Sequence, residues 1–385
     1  MMKLFWACVG FIVYTYAGYP ALLAVLAKLR PRALQRDENS TPSLTLLVAA
    51  YNEEACIAGK LENSLSLDYP AGKLQILVAA DGSNDRTPDI VRTFADRGVE
   101  LSFSPERRGK MAAINRAMTR ARGEVVVFSD ANNLYDAQAL RQLTPPFADP
   151  TVGAVSGAKS ILSGDGALGD SEGLYWRYES AIKKQETRLG TCTGVAGEIL
   201  AVRRSLFRPP PAEIINDDFY IALDLIRRGY RVIYAPAARS FERVSATAQD
   251  EVTRRARIIS GRYQAMRLAP QLLPWQQPLA VWQVVSHKFS RPLVPLAMIG
   301  ALVSSLLAAL RANRAAAVLL TGQMAFYGLA GLGRTAEYGG KIGKLLYIPT
   351  FFVNSNLAAL RGLRMHLTQR QGVLWQRVER RGNEQ

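Results

Sequence analysis

Leu44-Thr45-Leu46-Leu47-Val48-Ala49-Ala50 runs straight into Tyr51-Asn52-Glu53-Glu54. Seven residues without a charge, rich in aliphatic side chains and closed by a polar cluster, read as a strand buried on both faces of a parallel sheet. The figure recurs downstream. Leu74 to Ala80 is a second such strand and ends in Asp81-Gly82-Ser83-Asn84-Asp85. Val99 to Phe103 is a third. Val125 to Ser129 is a fourth, ending in Asp130-Ala131-Asn132-Asn133. Helical segments fall between them: Glu53 to Ser66, a helix opened by Thr87-Pro88 with the proline in its first turn, and Lys110 to Arg122, stopped by Gly123. Strand and helix in alternation predict an α/β fold, a mostly parallel sheet covered on both faces. Ligands of such sheets bind beyond the carboxyl ends of the strands, which is where the polar clusters lie. Gly82 permits a tight turn there. Three acidic clusters at one sheet edge repel one another unless a cation or donor groups sit among them.

The bulk composition narrows the partners. Of 385 residues 49% are hydrophobic, and 48 Lys+Arg stand against 32 Asp+Glu, a formal net charge of +16. Such an excess calls for an anionic partner. The basic residues crowd around apolar segments, which points to an acidic membrane surface and away from nucleic acid. Cys8, Cys56 and Cys192 are too few and too far apart for a disulfide framework or a zinc site. His287 and His366 are the only histidines, so Ser43 to Arg267 holds neither a Ser-His-Asp triad nor a histidine-ligated zinc.

Leu4 to Ala27 carries no charge and is long enough to span a bilayer. It exceeds the apolar core of a signal peptide and shows no small-x-small cleavage site, so it reads as an uncleaved anchor. Lys28, Arg30, Arg32 and Arg36 follow it, against Lys3 before it, and this bias places the next segment in the cytoplasm. Pro292 to Leu310 and Ala315 to Gly333 are two further uncharged runs joined by Arg311 to Arg314, a helical hairpin in the membrane; a buried core hairpin is the alternative. Leu345 to Leu360 is shorter and holds Asn354, Ser355 and Asn356. It either spans or lies in the interface. The expected organisation is an anchor over residues 1–36, an α/β domain over 37–270 and a membrane region over 271–385, with the hairpin at 292–333, a third helix at 345–361 and a basic tail. The expected location is the inner, cytoplasmic membrane, multi-pass, with the α/β domain inside.

The strand ends also carry a resemblance. Val48-Ala-Ala-Tyr-Asn-Glu-Glu54, Asp81-Gly-Ser-Asn-Asp-Arg-Thr87, Arg108-Gly-Lys-Met-Ala-Ala-Ile-Asn115 and Phe128-Ser-Asp-Ala-Asn132 resemble the family 2 glycosyltransferases. Thr193 to Gly197, Asn216-Asp-Asp-Phe219, Arg254 to Arg257, Ser286-His-Lys288 and the late Trp375 continue the likeness to membrane-bound members such as cellulose, chitin and poly-N-acetylglucosamine synthases. The resemblance implies a GT-A fold and sugar transfer from a nucleotide-sugar donor to a saccharide or lipid-linked acceptor, with synthase or export subunits as further partners. It implies that Tyr51 and Glu53 line the nucleotide pocket, that Asp81 contacts base or ribose and that Lys110 lies near the donor. Asp130 and Asn132 would hold a divalent metal, Mg²⁺ or Mn²⁺, on the donor diphosphate. Asp218 would be the catalytic base, and Arg254 and Arg257 would meet the diphosphate.

The departures from the pattern are specific. Ala80 replaces a first Asp beside Asp81. Asn132 replaces the second carboxylate of Asp-x-Asp, and an amide oxygen ligates Mg²⁺ more weakly. Arg254 and Ile258 replace the Gln and Trp of the last motif, which removes a stacking platform and leaves both chain elongation and single transfer open. A non-catalytic membrane partner is the reading from another class. The paired Asp217 and Asp218 open a helix running to Gly229; Asp217 suits its N-cap, Asp218 the base, and adjacent carboxylates raise one pKa. Other patterns have plainer readings. Gly164 to Gly169 matches G-x-G-x-x-G without its strand context and reads as a loop. Tyr175 to Glu179 either stacks on sugars or packs a helix on the membrane hairpin. Arg254, Arg255 and Arg257 alternatively form a solvated or lipid-facing surface.

Overall fold

In the computed structural model, which describes residues 1–161, 166–242, 248–335 and 340–368, Leu44–Ala50 is strand β1 with every residue buried. It sits inside an eight-stranded sheet with β2 (Leu74–Asp81), β3 (Val99–Ser104), β4 (Val125–Asp130), β5 (Leu134–Tyr135), β6 (Val152–Ile161), β7 (Leu200–Arg203) and β8 (Arg231–Glu242). The spatial order is β3-β2-β1-β4-β7-β6-β8-β5. β1 pairs in parallel with β2 and with β4, so the chain order reverses at β1 and leaves a crevice beyond its carboxyl end. Beyond β4 the sheet is mixed. β7 runs antiparallel to β4 and β6, β8 is parallel to β6, and β5 is antiparallel to β8.

The period of two in β1 divides its side chains between two cores. Leu44, Leu46 and Val48 join Ile57 and Leu61 of the helix Ile57–Leu65. Leu47 joins Met111 and Ile114 of Lys110–Met118 and Ile221 and Leu225 of Asp217–Arg227. Each such aliphatic side chain withdrawn from water contributes roughly 1.5–3 kcal/mol, and a slip of β1 by one residue would exchange the two sets. The helix Gly166–Leu189 packs on β6 and β8, and the Trp176 ring in it lies 5.5 Å from Lys159 Nζ of β6. Gly166 to Gly169, read from the sequence as part of a loop, are the first turn of this helix; Gly164 and Asp165 lie outside the described residues, as does Trp375.

These elements belong to one of two units, which by described residues comprises 26–242 and 268–282; the other comprises 1–25, 248–267 and 283–368. Among the described residues three helices are long and apolar enough to cross a membrane: Met2–Leu29, Pro278–Ala309 and Arg314–Gly333. Within the helical unit Met2–Val13 lies against Ser290–Ala309, so closely that a β-carbon at Gly300 would sit 2.8 Å from Cys8 Sγ. Small residues permit this approach between membrane helices. Gly340–Leu367 packs along Ala248–Arg267, where a β-carbon at Gly362 would meet the Ala256 carbonyl at 2.7 Å. Gln323 donates to Ser305 Oγ at 2.9 Å across the hairpin, which satisfies two polar side chains within apolar runs. Arg254 forks onto the buried Glu251 of the same helix, with Nη2 to Oε1 at 2.7 Å and Nε to Oε2 at 3.0 Å. Burial opposes ionisation of Glu251, but Arg254 and Arg255 hold its carboxyl down at about 2.

Candidate active site

The strand-end clusters are braced by reciprocal side-chain and backbone hydrogen bonds. At the end of β1, Asn52 takes a left-handed conformation with φ 52°, which asparagine tolerates. Its side chain exchanges hydrogen bonds with Asn84, donating Nδ2 to Oδ1 at 2.7 Å and accepting the Asn84 N–H at 3.0 Å. Glu54 and Asp85 likewise each accept a backbone N–H from the opposite loop, from Arg86 and Glu54 respectively. Asp81 accepts the N–H groups of Arg108 at 3.1 Å and Gly109 at 2.6 Å. Backbone donors thus supply much of the compensation that these acids require.

Gly82 has φ 62°, and a β-carbon there would lie 2.6–2.7 Å from Cβ, Cα and N of Arg107. Only glycine fits, and its absence of a side chain brings the Arg107 loop onto β2. Arg107 places its guanidinium 3.8 Å from the centre of the Tyr51 ring. Glu53 is buried, with the Cys56 thiol 3.1 Å from Oε2.

The charged centre lies at the end of β4. Lys110, the first residue of its helix, donates Nζ to Asp130 Oδ1 at 2.8 Å and stands 3.9 Å from Asp217 Oδ2. Burial works against the Lys110 charge, but Asp130, Asp217 and Asp218 together outweigh it and hold the ammonium above its ordinary value. Burial likewise disfavours ionised Asp130, yet Lys110, with Lys159 and Lys60 behind it, keeps the carboxyl below the usual range. Lys110, Asp217, Asp218 and Gly197 line one small pocket with apolar walls from Leu47, Ile114, Phe128, Leu200 and Ile221. Gly197 matters by omission: a β-carbon there would come within 3.1 Å of Asp218 Cβ. Asp218 Oδ1 accepts its own helix's Phe219 N–H at 2.7 Å.

Asn216, not Asp217, occupies the N-cap position, and it makes no side-chain cap bond. Asp217 and Asp218 both stand in the first turn, where a negative charge is favoured by the helix dipole. The geometry therefore gathers Asp130, Lys110, Asp217 and Asp218 in one cluster, with Tyr51, Glu53 and Asp81 at the neighbouring strand ends. Arg254 and Arg257 belong to the helical unit. Among the described residues no group of three His, Cys, Asp or Glu side chains forms a metal site. Asp130 and the half-buried Asn132 each carry a side-chain oxygen of the kind Mg²⁺ or Mn²⁺ takes, and substrate phosphates would have to complete the shell. The ammonium already at Asp130 shows that this point accepts positive charge.

Three residues escaped the sequence reading: Lys60, Glu198 and Lys159. Lys60 is 1% exposed, and burial pulls its ammonium down to about 7 against the attraction of Asp130, Cys56 and Glu198. Its signal was present, since Ile57, Lys60, Leu61 and Ser64 are the buried residues of one helix face. Lys159 pairs with Glu242 and stands 3.4 Å from Glu198.

Residues 45–209 match the family described as Glycosyl transferase family 2. The chain carries a family 2 glycosyltransferase domain. Poly-β-1,6-N-acetyl-D-glucosamine synthase of Staphylococcus aureus is 28% identical over 232 residues, 58% of this chain and 55% of that protein. β-Monoglucosyldiacylglycerol synthase of Trichormus variabilis is 34% identical over 154 residues, 39% of this chain and 32% of that protein. The chain thus spans about half the length, or less, of these curated relatives. Mannosyltransferase PcManGT from Pyrobaculum calidifontis, solved with GDP-Man and Mn²⁺, superimposes with a TM-score of 0.73 at 25% identity, over 96% of this chain and all of that one. The glycosyltransferase domain accordingly has the GT-A fold, and with its three apolar helices the chain is a membrane protein. Its mixed second half refines the expectation of a mostly parallel sheet.

Proposed function

We propose that this membrane glycosyltransferase inverts the anomeric centre, moving a sugar from a nucleoside-diphosphate donor, a UDP-sugar by preference, to a saccharide or lipid-linked acceptor at the bilayer. The observation that carries the reading is the single pocket holding Asp218, Asp217 and Lys110, with Asp130 on the same ammonium. Asp218 takes the proton of the acceptor hydroxyl as its oxygen attacks the anomeric carbon, and the bond to the departing diphosphate breaks with its electron pair on phosphate oxygen. Lys110 supplies positive charge near those oxygens, a preorganised electrostatic contribution. Asp130 and Asn132 would hold the divalent cation, which when bound offsets the remaining diphosphate charge. Tyr51, Glu53 and Asp81 are assigned to the nucleoside side of the crevice.

Two named relatives frame the acceptor, one making a polysaccharide and one a glycolipid. Extended saccharide synthesis is the first reading. Single transfer to a lipid is the second, favoured by Ile258 where chain-elongating members have tryptophan. The test uses the full chain in lipid nanodiscs with a panel of UDP- and GDP-sugars, a short oligosaccharide and diacylglycerol. Release of nucleoside diphosphate is expected with one donor class, and early products report the mode: long chains beside untouched acceptor, or a uniform one-sugar shift. No release with any donor would sink the enzymatic reading.

We further assign the α/β unit to the cytoplasmic side, on the basic residues Lys28, Arg30, Arg32 and Arg36 after the first apolar helix. Asn39 is exposed. With the native cysteines replaced, Asn39→Cys should resist an impermeant thiol reagent on intact cells and react after permeabilisation. Labelling of intact cells would overturn the orientation and separate the enzyme from cytoplasmic donor.

A further inference from the structure

A lysine on the core face of a helix is out of place unless something needs it. Lys60 Nζ is buried and donates to the backbone oxygen of Asn133 at 2.9 Å and to its Oδ1 at 3.0 Å. It also lies 4.2 Å from the centre of the Tyr135 ring. Asn133 is itself fully buried. Its Oδ1 accepts Ser129 Oγ at 3.1 Å, and its Nδ2 donates to the Glu198 carbonyl at 2.9 Å and to Ser240 Oγ at 2.7 Å. Three residues further along the same helix, Asn63 exchanges two hydrogen bonds with the Tyr135 backbone, at 2.8 and 3.0 Å. The turn after β4 is thus fastened from Asn133 onward to the helix Ile57–Leu65, to β8 and to the residue beside Gly197. Asp130 and Asn132, ahead of Asn133 in the same turn, are only partly buried, and Asp130 meets Lys110.

We propose that Lys60 is a positioning residue for the donor site, clamping Asn133 from beneath so that Asp130 and Asn132 present their oxygens together to a nucleoside diphosphate and its divalent cation. The inference rests on the donor reading of Asp130 and Asn132 given above. Withdrawing an ammonium from water is expensive, and a methionine of similar length would fill the same space without that penalty. A fold needing only volume at position 60 has no use for the charge. The ammonium does what methionine could not: it donates to both Asn133 oxygens at once. Removing it trades a desolvation cost for two oxygens left without that donor, so stability changes little while the turn loses its fixed geometry.

The test is direct binding with the full chain in nanodiscs. UDP and GDP are titrated calorimetrically, each with and without Mn²⁺, into the wild type and into Lys60→Met, Asn133→Ala and Asp130→Ala. Lys60→Met is expected to weaken nucleotide binding at least tenfold in the presence of Mn²⁺ and less than twofold in its absence, with a thermal midpoint near that of the wild type. Asn133→Ala, which removes the side-chain half of the clamp, is expected to show the same selective loss. Wild-type affinity in both variants, with Asp130→Ala impaired, would overturn the role of Lys60 alone. Wild-type affinity in Asp130→Ala would overturn the donor reading and this inference with it. A large fall in thermal midpoint in both Lys60→Met and Asn133→Ala would also overturn it, by assigning the pair to fold stability.

Discussion

Asp218→Asn should abolish sugar transfer while leaving donor binding close to that of the wild type. A positioned general base contributes about 10²–10⁴-fold, and the fall in kcat should reach at least that range. The substitution is chosen because the surroundings tolerate it. Asparagine keeps the size that Gly197 accommodates, and its amide oxygen still accepts the Phe219 N–H now bound by Asp218 Oδ1. What disappears is the capacity to take a proton. Initial rates of nucleoside diphosphate release and calorimetric binding of the nucleotide separate the two effects. Near-normal turnover in a folded variant would remove Asp218 from the mechanism and move attention to Asp217, its neighbour in the same pocket.

The second large effect is expected at Asp130. Asp130→Ala removes the carboxylate that Lys110 meets at 2.8 Å, with Asp217 standing at 3.9 Å, and takes away the one carboxylate of the assigned cation site. Losing one preorganised electrostatic group typically costs about 10²–10³ in rate, and here donor affinity should fall as well. Excess chelator should depress the wild type comparably. Asn132→Asp should act in the opposite sense, lowering the metal concentration needed for half activity, since a carboxylate replaces a neutral oxygen. Rates measured across a Mn²⁺ titration decide both. Full wild-type activity in excess chelator would show that fixed cations such as Lys110 carry the diphosphate charge alone.

The strands β1 to β4 were readable almost to the residue because a strand buried on both faces shows as an unbroken apolar run between polar ends. β1 came out at Leu44–Ala50 in both readings. The later half of the sheet gave no such signal. β6 contains two glycines, two serines and a lysine, and β8 contains Pro236 and two arginines; both meet partners through an irregular register. Helix positions were sound, but the cap at Asn216 was misplaced because paired acids in a first turn and an acidic cap look alike in sequence. The site was legible as motifs and opaque as contacts. Nothing in the spacing shows that Asp81 carries the backbone of Arg108 and Gly109, or that Lys110 reaches back to Asp130.

By itself the sequence determined the α/β class, the strand ends that bear the chemistry, the apolar helices and the family of the domain. These are properties of local pattern: runs, periods and ordered motifs survive without knowledge of distant partners. The tertiary structure alone decided which charges meet. Asp130 and Lys110 come together from two different βα segments, Lys60 passes beneath the β4 turn to Asn133 73 positions away, and Gly197 clears space for Asp218 from a separate loop. Burial of an ion and its compensation depend on everything packed around it, and that neighbourhood is created only when the parallel register and the mixed second half of the sheet bring remote segments to one edge.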